Sequence, residues 1–116
     1  MSDNTQSISD LNRESRTLMQ GLAKKHPELM KSFQGLHHAS LGGEALDTKT
    51  KELIALALGI GTHCQRCIGL HLAAALKAGA TEEEVVETIA VSTMMGGGPS
   101  LMYGLDALKA LEELKS

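Results

Sequence analysis

At 116 residues and a formal net charge of −3, the chain has length for one domain and one core, not two. One Phe, one Tyr and no Trp exclude an aromatic-rich β-sandwich; Leu, Ala, Met and Gly must fill the interior, which suits closely approaching helices. The acidic balance and scattered lysines give no footprint for nucleic acid, and the apolar runs are far too short to span a bilayer, so neither is an expected partner.

Met1 to Gln6 are polar and without period, and we expect residues 1–9 to form a flexible N-terminal arm before a helical domain over 10–116. No basic segment leads into an apolar run there, so no signal peptide is expected and a cytoplasmic location is the default. Ser7 or Ser9 can cap a first helix running to about Lys25, with Leu11, Ser15, Leu18 and Leu22 along one stripe. His26-Pro27 ends it, because proline restricts its predecessor and lacks a donor. Pro27 then opens a second helix with Leu29, Met30, Phe33, Leu36 and His37 on its apolar side. Gly42-Gly43 signals a loop, and Asp47 or Thr48 can cap a third helix whose body, Glu52 to Leu58, is apolar on nearly all sides. Such a helix is central or shared with another subunit.

Gly59 and Gly61 close the third helix, and a fourth is expected over Cys64 to Lys77, ended by Gly79. Thr81 with Glu84 reads as a capping box for a fifth helix carrying Val85, Val86, Ile89, Ala90 and Thr93. Gly96-Gly97-Gly98-Pro99 breaks it, and Pro99 or Ser100 starts a sixth helix with Leu101, Leu105, Leu108 and Leu111 facing inward. No stretch alternates with period two. The expectation is an all-α single domain of about six helices, and its surplus apolar faces call for a homo-oligomer.

The chemistry is concentrated in one stretch. Cys64 and Cys67, the only cysteines, are followed by His71, and Glu52 interrupts the apolar third helix twelve residues before Cys64. On a helix, positions 64, 67 and 71 share a face. A thiol attacks as its thiolate: Cys64 gains help from the helix start, and Cys67 from His71 one turn on. Spacing leaves open which attacks first. Glu52 shares a helical row with Leu56 and Gly59, which turns it inward, where a carboxylate must be hydrogen-bonded or protonated. The plainer alternative is an exposed first-turn Glu paired with Lys49 or Thr48, favoured if Glu52 is judged alone.

Glu52, eleven residues, Cys64-x-x-Cys67, three residues and His71 resemble the motif of the alkyl hydroperoxidase D-like proteins of the carboxymuconolactone decarboxylase superfamily. The likeness spans about residues 27–110, including the glycine-rich break. It implies an all-α domain assembled into hexamers or, next, trimers, and a thiol peroxidase or disulfide reductase that needs no bound cofactor. By the resemblance Cys67 attacks a small hydroperoxide, Cys64 resolves the sulfenic acid, and Glu52 and His71 move protons. The disulfide is then reopened by an external dithiol, with a lipoyl protein the reductant the family suggests. Better-known members carry a histidine before the second cysteine. Arg66 stands there in this chain, unable to shuttle protons, though it can stabilise a thiolate or point to solvent.

Zinc held by Cys64, Cys67 and His71 is a rival, as are a non-catalytic helical oligomer, a redox sensor and a decarboxylase-type enzyme. A lone Cys-x-x-Cys at a helix start favours redox chemistry over a closed zinc site. His63 precedes the helix and is better read as a loop residue than as a base; Tyr103 carries no signal. His37 or His38 is expected as a partly buried core histidine, the six methionines as core and interface filler, and Gly96 to Gly98 as a helix break, since no phosphate-loop Lys follows.

Overall fold

Capping chemistry sets the helix boundaries in the computed structural model, which describes residues 6–115. Five helices follow one another: α1 (Ile8–Lys25), α2 (Pro27–Leu41), α3 (Thr48–Gly61), α4 (Gln65–Lys77) and α5 (Glu82–Leu114). Among the described residues there is no strand. Ser7, the earlier of the two expected caps, accepts the N–H of Asp10, so α1 begins within the stretch expected as an arm; residues 1–5 of that arm lie outside the described residues. Asp47 accepts from Thr50 at the start of α3, and Thr81 and Glu84 form the capping box of α5.

The expected fifth and sixth helices are the two halves of α5. They meet at Gly97, whose φ of 73° and ψ of −158° lie outside helical space in a region open essentially to glycine. Pro99 then falls at the start of the second half, where its missing N–H costs least.

α3 runs through the middle, packed on α4 and α5. Leu56, Ile60, Ile68, Leu72, Val85, Ala107, Ala110 and Leu111 form the core, with Ile8 and Leu11 added from α1. α1 lies close across α4 because Gly69 has no side chain. A Cβ there would stand 2.5 Å from Asn12 Oδ1, and Asn12 Nδ2 donates to the Gly69 carbonyl at 3.1 Å. α2 packs chiefly on α1 and buries only Met30. That outlying position raises the radius of gyration to 14.4 Å, against about 13 Å for a compact chain of this length.

The inward stripe of the last half-helix differs from expectation. Leu101, Leu105 and Leu108 are exposed, and the buried face is Ser100, Gly104, Ala107, Ala110 and Leu111. Small residues win because the halves of α5 approach too closely for leucine: a Cβ on Gly104 would stand 2.8 Å from Ile89 Cγ2. Leu18 and Leu22 on the expected stripe of α1, and Leu29, Phe33 and Leu36 on the apolar side of α2, are exposed, as is Val86.

Candidate active site

The turn from α3 to α4 places the first cysteine. His63 N–H donates to the Ile60 carbonyl at 3.2 Å and Cys64 N–H to the Gly59 carbonyl at 2.9 Å, the paired bonds of a Schellman ending. His63 holds the left-handed position, φ 61°, that glycine usually fills. One residue later Cys64 is therefore the N-cap of α4, not its first residue as expected. Its Sγ accepts the Cys67 N–H at 3.2 Å, taking over one of the donors a helix start leaves unpaired. Cys64 and Cys67 are joined by a disulfide.

Glu52 is buried on the row it shares with Leu56 and Gly59, as the helical spacing predicts. Its Oε1 lies 2.7 Å from His71 Nδ1, which supplies the partner that a buried carboxylate requires. The exposed pairing with Lys49 does not occur. Lys49 is engaged elsewhere: its Nζ reaches Glu84 Oε2 at 2.9 Å. With Nδ1 committed to Glu52, the imidazole is held in orientation and Nε2 is left for chemistry, the arrangement of a base steadied by a third group.

Cys67, Glu52 and His71 open together into a groove of about 550 Å³ between α1, α2 and α4. Cys64 is absent from its lining. Spacing left the order of attack open; in the folded chain Cys67 is the sulfur that faces the groove. Gly59 permits this seating, since a Cβ on it would stand 3.2 Å from Cys67 Cβ. Both sulfurs lie at the N-terminus of α4, where unpaired N–H groups favour an anion.

Arg66 is neither free in solvent nor aimed at a sulfur. Its Nη1 donates to Ser15 Oγ and its Nη2 to Glu14 Oε1, each at 2.8 Å, clasping α4 to α1. His37 is exposed rather than core; its ring stacks on that of His71 with centroids 6.1 Å apart, and it lines the same groove. The signal for it was its place on the apolar stripe of α2 with Phe33, a stripe that faces the groove instead of the core. His63 turns the other way, stacked on Tyr103 at 4.7 Å beside a separate small cavity that includes Asp106. Burial holds the Asp106 carboxyl above its usual range. Among the described residues no three His, Cys, Asp or Glu side chains are grouped as a metal ion would need.

A bundle of helices that carries a Cys-x-x-Cys pair, and beside it a carboxylate-steadied histidine, defines a helical dithiol protein. Residues 27–110 match the carboxymuconolactone decarboxylase family, and the chain belongs to that family. A crystal structure of an apo family protein from Legionella pneumophila is similar over 99% of this chain and 100% of that one, with a TM-score of 0.90 and 43% identity. A Thermotoga maritima family protein, for which involvement in an antioxidative response has been suggested, aligns over 88% of this chain and 87% of its own, with a TM-score of 0.80 and 30% identity. An uncharacterised Haemophilus influenzae protein is 40% identical over 95 residues, 82% of this chain and 84% of that one.

Proposed function

We propose that the protein is a dithiol peroxidase and disulfide reductase of the alkyl hydroperoxidase D type. The observation that carries the reading is the shared groove: Cys67 opens into it beside the Glu52–His71 pair, with Cys64 bonded behind. In the reduced protein His71 Nε2 takes the Cys67 thiol proton while Glu52 holds Nδ1. The thiolate attacks the outer oxygen of a hydroperoxide. An S–O bond forms, the O–O bond breaks, and the imidazolium returns the proton to the departing alkoxide, giving an alcohol and a Cys67 sulfenic acid.

Cys64 then attacks the Cys67 sulfur. A disulfide forms, and the hydroxide leaves as water with the proton from the Cys64 thiol. An external dithiol, a lipoyl protein in the cytoplasm, restores both thiols by exchange and is itself oxidised to a disulfide. The antioxidative role suggested for the Thermotoga relative supports the same chemistry.

The test is a thiol count with intact mass on reduced protein, before and after one equivalent of cumene hydroperoxide. Loss of both thiols and two hydrogens, reversed by dihydrolipoamide, is the expected result. Persistence of both thiols overturns the peroxidase reading.

A further inference from the structure

The groove above Cys67 is far larger than the reaction needs. A water molecule occupies about 30 Å³ of the liquid, and hydrogen peroxide is of that order. The groove, at about 550 Å³, lies within the range of roughly 300–1,000 Å³ seen in sites that hold whole organic ligands. Its walls are apolar: Leu18, Met19 and Leu22 from α1, Phe33 from α2, Leu70 and Ala74 from α4. A second apolar hollow of about 230 Å³, lined by Leu36, Leu41 and Ala55, adjoins it and shares Phe33, His37 and His71 with the first. The buried Glu52 and half-buried Cys67 are among the residues that line the groove.

Two guanidiniums line this space. Arg66 is engaged by Glu14 and Ser15. Arg16 is exposed and has no acidic partner among the described residues. An exposed cation on the wall of a roomy apolar groove complements a molecule with an apolar chain and an anionic head.

We propose that the groove binds hydroperoxides of unsaturated fatty acids, the chain along the cleft, the carboxylate on Arg16 and the peroxide over Cys67. The assignment rests on the peroxidase reading and narrows its substrate. Chemically, the O–O bond of the bound lipid breaks, the chain leaves as a hydroxy fatty acid, and the two cysteine thiols supply both electrons and both hydrogens for that alcohol and for water.

Binding and turnover are measured separately. The disulfide form of the full chain is titrated with cis-parinaric acid, a fluorescent polyene carboxylate that carries no peroxide. Saturable binding is expected, weakened about fivefold by Arg16→Ala, a loss in keeping with an exposed ion pair. Arg16→Lys should retain most of the affinity and Phe33→Ser should lose it; both positions are exposed, so neither change threatens folding. No saturable binding, or equal affinity in wild type and Arg16→Ala, overturns the assignment. So does binding that weakens as protein concentration rises, which would make the groove an interface between copies.

With reduced protein, Arg16→Ala should raise KM for linoleic acid hydroperoxide and leave that for cumene hydroperoxide unchanged. Hydrogen peroxide consumed with the same kcat/KM as the lipid overturns the inference while leaving the peroxidase standing. If no hydroperoxide is consumed but the lipid probe binds through Arg16, the peroxidase reading fails and the binding site stands.

Discussion

Glu52 illustrates how much one position in a helix decides. Four residues before Leu56 and seven before Gly59, it falls on the buried row of α3 and meets His71 at 2.7 Å, while Lys49 faces the start of α5. We expect Glu52→Gln and His71→Ala each to slow peroxide-driven thiol loss by roughly 10²–10⁴-fold, the usual contribution of proton transfer, as measured in single-turnover stopped flow. The cysteines separate by position as well. Cys67 faces the groove and Cys64 caps the helix behind it, so Cys67→Ser should abolish peroxide consumption, whereas Cys64→Ser should leave a sulfenic acid that dimedone traps. Sulfenic acid found in Cys67→Ser would reverse the two roles.

Among the elements, α3 and α5 are tied at Glu84. One carboxylate oxygen accepts the Thr81 N–H at 2.9 Å and the other meets Lys49 Nζ at 2.9 Å. The Thr81 N–H, and after it Lys49, hold the Glu84 carboxyl below its ordinary value of 4.5. A lowered folded value means that the contribution to stability is complete above the unfolded value and fades as pH falls through the folded one. Glu84→Gln should therefore lower Tm at pH 7, and the gap from wild type should narrow as pH falls from 4.5 through the lowered folded value. A gap that persists in acid would assign the effect to packing.

The break at Gly97 folds α5 back on itself, and Gly104 against Ile89 sets how close the halves come. Gly104→Leu should destabilise by about 1–3 kcal/mol through overpacking, read from urea unfolding. A neutral result would show that the halves part without cost.

On the scale of the molecule, the described surface is rich in large apolar side chains. Leu58, Val91, Met94, Met95, Met102 and Leu105 are each about half exposed or more. We propose that copies of this chain cover them, a hexamer first and a trimer next. Sedimentation velocity should give a multiple of the 12.3 kDa chain; a sharp monomer boundary at every concentration would remove the assembly. Leu58→Glu should shift that equilibrium toward smaller species while leaving helix content unchanged, because the side chain is exposed in the single copy and carries none of its core.

Local rules are written in neighbouring residues, and these were readable in advance. Thr81 and Glu84, Asp47, Pro27, Gly79 and the Gly97 break mark where helices begin and end, because caps, φ restrictions and missing donors act within a few positions of the chain. The row Glu52 shares with Leu56 and Gly59 pointed inward as well, although Glu52 judged alone favoured the exposed pairing that the fold does not make. What the chain could not disclose is which of two adjacent stripes meets a neighbour. The leucines of the last half-helix are more hydrophobic than Gly104, Ala107 and Ala110, and burial by hydrophobicity alone puts them inside. Only the distance between packed helices reverses that choice. The same holds for the site: helical spacing placed Cys67 near His71, but the groove, the clasp of Arg66 on Glu14 and the stacking of His37 depend on how α1 and α2 lie against α4. Those are long-range contacts, and no local pattern encodes their distances.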